Sequence, residues 1–242
     1  GDIERISKDI KDAIGDRDLI LTLRTSAEGG EENGDRFDYF SVIEGIIEAE
    51  VADYVDVELE RDIEKLYALT DICKNKKTKI IGSYHDFKSM PSYEFIINEL
   101  KKAGDAGCEY GKLACMARSY EDSERLLAAT GDFYKDNPDF KIATMAMGAS
   151  GYVTRLYGGM YGSRITFATL GRASAPGQRS ADEVINVFER LYSDPGHIIL
   201  IGFMGTGKTT VSKKISDLYD MPEIDTDSLI EEKTGKKISR IF

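Results

Sequence analysis

Short runs of β-branched and apolar residues alternate, over the first 192 positions, with longer stretches whose apolar side chains return every three or four residues. This pattern predicts strands at residues 19–24, 54–59, 79–87, 110–116, 141–147 and 164–168. Helices are expected at 2–14, where Ile3, Ile6, Ile10 and Ala13 recur before Gly15, and at 37–49, 63–74, 93–104, 119–133 and 180–192. A Gly-rich, acidic turn, 26–35, follows the first strand. Strand and helix in strict alternation describe parallel crossover units. A closed (β/α)8 barrel needs about eight such strands. The chain is therefore expected to form an α/β, TIM-type barrel that is incomplete, with about six of the eight strands and two strand–helix units missing at the front. Opening on a helix agrees with that count, and Gly1 in place of Met suggests a trimmed chain.

Two residues interrupt the apolar strands. His85 closes one strand just before a turn, and Lys112 lies inside the next, on the same face as Ala114 and Met116. Such a lysine either snorkels to water or is an amine kept partly neutral, able to attack a carbonyl and form a Schiff base. A histidine within reach would move protons for it; a satisfied structural histidine is the plainer account.

Composition narrows the choice of partners. A net charge of −11 argues against a nucleic-acid binder, and 242 residues at 41% hydrophobic allow a sizeable core. Cys73, Cys108 and Cys115 have no metal-ligand spacing and are odd in number, so they read as reduced fillers. No apolar run approaches membrane-spanning length and no signal peptide opens the chain, so a cytoplasmic protein is expected.

The end of the chain has a different character. Residues 193–196 form a short linker by composition, and residues 197–201 read as a buried strand. Gly202, Gly205, Gly207, Lys208 and Thr209 then fit the phosphate-binding pattern GxxxxGK[ST], in which glycine N–H groups face phosphate oxygens, the lysine reaches the β- and γ-phosphates and the threonine holds Mg²⁺. His197 reads as structural.

Taken in order, Leu21-Thr22-Leu23-Arg24-Thr25 with Glu28-Gly29-Gly30, Asp56-Val57-Glu58-Leu59, Ser83-Tyr84-His85-Asp86-Phe87, Lys112-Leu113-Ala114, Met145-Ala146-Met147-Gly148, Arg155-Leu156 and Ala173-Ser174-Ala175-Pro176-Gly177-Gln178 resemble type I 3-dehydroquinate dehydratase. The resemblance implies a lyase of the shikimate pathway that converts 3-dehydroquinate to 3-dehydroshikimate with no metal or organic cofactor. In that comparison Lys112 matches the Schiff-base lysine, His85 the general acid/base, and Glu58 the carboxylate that orients the histidine. Arg155 matches the arginine for the substrate carboxylate. Arg24 matches a second substrate-site arginine whose charge would help lower the lysine pKa, and Ser174 and Gln178 lie in a loop like the family's lid. A homodimer is compatible with the resemblance.

The phosphate-binding loop, with residues 221–231 and 233–238, resembles the start of a shikimate kinase, which implies ATP, Mg²⁺ and shikimate as ligands. Asp227 would then bind a shikimate hydroxyl and Asp225 would lie beyond the Mg²⁺ ligands. The expected organisation is a partial dehydratase over 1–192, a linker at 193–196 and the first βα unit of a P-loop kinase over 197–242, all part of a bifunctional enzyme. The dehydratase is expected to be weak or inactive in a chain lacking its front strands. The alternative from another class is an ATP-binding P-loop protein with a non-catalytic front domain. A third reading gives Lys112 to a different Schiff-base barrel lyase, such as an aldolase.

Overall fold

The structure is a computed structural model, and it describes residues 2–30, 38–171, 173–192, 208–219, 223 and 225–237. By contacts the chain divides into two compact units, Gly1–Arg190 and Leu191–Phe242.

The first unit opens with helix α1 (Asp2–Ile14) and then alternates β1 (Ile20–Thr22), α2 (Tyr39–Ala49), β2 (Tyr54–Glu58), α3 (Ile63–Cys73), β3 (Lys79–Asp86), α4 (Tyr93–Asp105), β4 (Tyr110–Met116), α5 (Tyr120–Asp136) and β5 (Lys141–Met147). The short α6 (Tyr152–Tyr157) and α7 (Ala181–Tyr192) complete it. Capping explains where the helices begin. Asp38, Asp62, Ser92 and Ser119 each place a side-chain oxygen on a backbone N–H of the following first turn, satisfying donors that have no partner within the helix.

The strands form one parallel sheet in the order β1-β2-β3-β4-β5, so every strand pairs with its neighbour in sequence. Ile80 on the outer face, for example, joins a core with Ile43, Ile47 and Leu66 of the flanking helices. Leu113, Cys115 and Ile142 join a second with Ile96, Leu100 and Leu126. The inner face has a smaller apolar cluster, Ala114, Ala143 and Met145 with Ile165 and Phe167. The same face also carries a buried polar group. Asp56, Glu58, Ser83 and Lys112 are all buried.

Five strands are described, where the sequence predicts six. Residues 164–168 do not continue the sheet: pairing with β5 stops at the single bridge Ile142↔Ser163. The Ser163 hydroxyl accepts the next donor of β5, the Thr144 N–H, at 3.0 Å. Arg155 takes the Phe167 carbonyl at 3.4 Å. Side chains thus occupy groups that a sixth ladder would use. On α1 the predicted apolar stripe faces outward, Ile3, Ile6 and Ile10 being 47%, 50% and 37% exposed while Ser7 is buried. No helix of the described residues is long and apolar enough to cross a membrane.

The second unit contributes α8 (Lys208–Tyr219) and α9 (Thr226–Thr234), the latter capped by the Asp225 carboxylate on the Ser228 N–H at 2.9 Å. The expected strand 197–201 and the glycines Gly202, Gly205 and Gly207 lie outside the described residues.

Candidate active site

The inner face of the sheet opens into a cavity of about 630 Å³ lined by Thr22, Arg24, Glu28, Gly29, Gly30, His85, Phe87, Lys112, Met145, Arg155, Phe167, Ala173, Ser174, Ala175 and Gln178. Six residues singled out from the sequence meet here: Lys112, His85, Arg24, Arg155, Ser174 and Gln178.

Lys112 is 7% exposed, in the middle of β4. In the sheet register it is level with Ser83 of β3, whose short side chain lets the amine reach across that strand to Asp56 of β2 at 2.7 Å. Ser83 Oγ donates to the same carboxylate at 2.5 Å and Arg24 does so at 2.5 Å. Burial works against ionised Asp56, but Lys112 and Arg24 hold it well below the usual carboxylate range. The Phe167 ring covers the amine, its centroid 4.5 Å from Nζ.

His85, also on the inner face, has its Nδ1 2.8 Å from Oε2 of Glu28. Burial first, then the charges of Arg24 and Lys112, depress the imidazole pKa to about 2. Burial, reinforced by Glu58 and Asp56 and opposed by Arg24, raises Glu28 to about 8. The histidine is thus neutral across the ordinary pH range, and Nε2 is the ring nitrogen left to serve the cavity.

This corrects one expectation. The carboxylate beside His85 is Glu28, not Glu58. Glu58 stands behind the cavity wall, bonded to Thr25, Arg61 and Arg24. Glu28 reaches the histidine because the chain folds back in a 3-10 turn, Ser26–Glu28, closed by Gly29 at φ +85°. A side chain at Gly29 would lie 2.3 Å from the Phe87 ring, and one at Gly30 would lie 2.0 Å from the Arg24 carbonyl, so only glycine fits at either position. The sequence signal was therefore the pair of glycines after Glu28. Asp56 was missed as the lysine's partner, and its signal was the acid recurring with Glu58 on one face of β2.

Arg24 lies past the end of β1, its guanidinium shared among Glu28, Asp56 and the more distant Glu58. Burial alone would lower its pKa, but Asp56 and Glu28 outweigh that and raise it. Arg155 contrasts with it. The guanidinium is buried, burial lowers its pKa, Nε has no hydrogen-bond partner, and NH1 finds only the Met145 sulfur at 3.6 Å and the Phe167 carbonyl. Among the described residues no carboxylate pairs with it. A buried cation left in this way is suited to an anionic ligand.

Ser174 and Gln178 bond to each other, the Gln178 Oε1 accepting from the Ser174 N–H at 2.8 Å and from its hydroxyl at 3.1 Å. Their loop is tied to the end of β5 by the Gly148 N–H on the Pro176 carbonyl at 3.1 Å. In the second unit Lys208 and Thr209 open α8, and Asp227 lies exposed in the first turn of α9.

Residues 1–195 match the family model for type I 3-dehydroquinase, and residues 204–242 match that for shikimate kinase. The 3-dehydroquinate dehydratase of Bacillus licheniformis is 36% identical over 184 residues, covering 76% of this chain and 72% of that protein. The Klebsiella pneumoniae protein of the same name is 36% identical over 183 residues, 76% of this chain and 73% of its own. A crystal structure of the Clostridium difficile type I 3-dehydroquinate dehydratase, with covalently modified comenic acid, superposes with a TM-score of 0.74 at 32% identity, covering 79% of this chain and 75% of that one.

Proposed function

The chain belongs to the type I 3-dehydroquinase family, and from that premise we propose that its cavity dehydrates 3-dehydroquinate to 3-dehydroshikimate through an imine on Lys112. The observation that carries this reading is a buried lysine beside a neutral histidine, in a cavity where a second buried cation, Arg155, has no counter-ion among the described residues.

Arg155 receives the substrate carboxylate, replacing its weak contacts with a charge-assisted pair. Asp56, itself fixed by Ser83 and Arg24, holds the Lys112 amine in place. Once deprotonated, the amine attacks the ketone and water leaves, giving an iminium. His85 takes the proton from the adjacent carbon through Nε2, and the electron pair moves into an enamine, which avoids a bare enolate. The carboxylate of Glu28 at Nδ1 stabilises the imidazolium so formed. His85 then delivers that proton to the departing hydroxyl, which leaves as water, and hydrolysis of the product imine frees Lys112. The water lost on forming the imine is regained on hydrolysing it, so the net change is loss of one water. Ser174 and Gln178 act as the lid, and the electron sink is the imine itself.

Borohydride reduction in the presence of 3-dehydroquinate tests this, since it freezes the imine as a stable amine. Peptide mass spectrometry is expected to find a substrate-dependent adduct on Lys112. An intact fold with no such adduct, or an adduct on another lysine, would sink the assignment.

For the second unit we infer the opening of a shikimate kinase. It is supported by the family match and by α8 starting at Lys208, directly after Gly202, Gly205 and Gly207, so that the loop leads into a helix N-terminus as phosphate binding requires. ATP would then be the phosphoryl donor at Lys208 and shikimate the acceptor at Asp227, and Thr209 would be a ligand of Mg²⁺ on the strength of the loop pattern.

A further inference from the structure

Glu58 does not touch His85, yet its side chain is 0% exposed, and a carboxylate in that setting is costly to keep. Besides a longer contact from Arg24 at 3.4 Å, two of its hydrogen bonds come from one residue. The Thr25 N–H donates to Oε1 at 2.8 Å and the Thr25 hydroxyl to Oε2 at 2.7 Å. From the other side Arg61 Nε donates to Oε2 at 3.1 Å, its guanidinium lying 4.5 Å over the Tyr39 ring, while the Tyr39 hydroxyl accepts the backbone N–H of Glu58 at 3.0 Å.

Thr25 is the residue before the 3-10 turn that carries Glu28. A threonine there ordinarily turns its hydroxyl onto an N–H of the turn. Here it makes no such bond and gives its proton to Glu58. The Thr25 carbonyl closes the turn instead, accepting from the Glu28 N–H at 3.1 Å and the Gly30 N–H at 2.8 Å. The turn is thus tied to one residue at both ends, and that residue is tied by two bonds to the end of β2. Burial of an apolar side chain would serve stability as well as this carboxylate does. It would not supply two directed acceptors three residues before Glu28.

We propose that Glu58, acting through Thr25, is the positioning residue for the Glu28–His85 pair. It clamps the turn at the place where Oε2 of Glu28 meets Nδ1 of His85, with Arg61 and Tyr39 bracing the clamp from behind. The catalytic consequence rests on the dehydratase reading; the clamp can be observed without turnover.

The test uses the full chain labelled with ¹⁵N-histidine. The sequence has two histidines, His85 and His197, and a His197→Gln variant assigns their ring signals. Thr25→Val removes the hydroxyl at nearly constant volume, Thr25→Ser keeps it, and Glu58→Gln turns an N–H₂ either toward Arg61 and the Thr25 hydroxyl or toward the Thr25 N–H and Arg24. Thr25→Val and Glu58→Gln are expected to move the His85 Nδ1 signal away from its hydrogen-bonded position. They should also lower kcat by about 10-fold to 100-fold with KM little changed, the effect of displacing a proton-transfer group by a fraction of an ångström. Thr25→Ser should retain the parent signal and rate. A folded Thr25→Val whose His85 signal equals the parent's overturns the proposal, and so does Thr25→Ser behaving like Thr25→Val. If Glu58→Gln does not fold, the threonine pair decides. Absence of a Lys112 adduct in the parent would count against the dehydratase reading alone, because the ring signals report the clamp independently.

Discussion

His85 can be a base only when Nδ1 carries the proton and Glu28 accepts it as a carboxylate. With Glu28 raised to about 8 and His85 depressed to about 2, the form with ionised Glu28 and neutral His85 accumulates above pH 8. kcat/KM is therefore expected to rise with pH and level off above about 8. Glu28→Gln, whose amide oxygen accepts from Nδ1 at any pH, should abolish that limb while lowering kcat roughly 100-fold. A pH–rate profile of both proteins checks this, and a limb that survives in Glu28→Gln would assign it to another group. Lys112 and His85 were legible in the sequence because each breaks an apolar strand, where a polar group needs a reason. Glu28 was not, because it lies 57 positions from His85 in a turn, and no strand periodicity reports which way a turn folds back. Glu58 took that role from the resemblance alone; its inward position on a strand agreed with it, but nothing in the sequence showed that Thr25, Arg61 and Arg24 would consume its oxygens. Ser83 shows the same limit. Its small size alone, which decides that Lys112 can reach Asp56, means nothing until the two strands are in register.

At the scale of elements, periodicity located five strands and their helices because each outer face buries a stripe against the next layer. It failed at residues 164–168, where composition favours a strand but Ser163 and Arg155 take the hydrogen bonds a ladder needs. The contact between α4 and the sheet depends on two glycines side by side, Gly82 of β3 and Gly111 of β4. A Cβ on Gly82 would lie 2.9 Å from both the Cys108 sulfur and a Leu59 methyl, and 3.3 Å from Ala103 of α4. Gly82→Ala is expected to destabilise the fold by about 1–3 kcal/mol through overpacking. Gly45→Ala, exposed within α2 where a new methyl meets nothing within 4 Å, should stabilise it by about 0.5–1 kcal/mol. Urea unfolding of both variants measures the contrast. Equal effects would mean that helix propensity, not the approach of α4, governs these positions.

At the scale of the molecule, the buried groups of the site set how stability depends on pH. Glu28 has a folded pKa near 8 against 4.5 when exposed, so its contribution is complete below 4.5 and is lost as pH rises through 8. His85 and Asp56 have the opposite sign. Depressed from 6.5 and 3.8, they stabilise the fold above those values and cease to as pH falls. Between 4.5 and 6.5 the opposed slopes of Glu28 and His85 offset each other. The thermal midpoint should therefore be highest in that window and decline on both sides, and Glu28→Gln should flatten the alkaline decline in a calorimetric series. The sheet order has a consequence of another kind. Because each strand pairs with the one synthesised just before it, no ladder waits for a distant partner, and each closes over a single intervening helix. Asp56, Ser83, His85 and Lys112 all fall between β2 and β4. A chain growing from its N-terminus can thus bring the amine and its acidic partner together on the ribosome while the residues of the second unit are still untranslated.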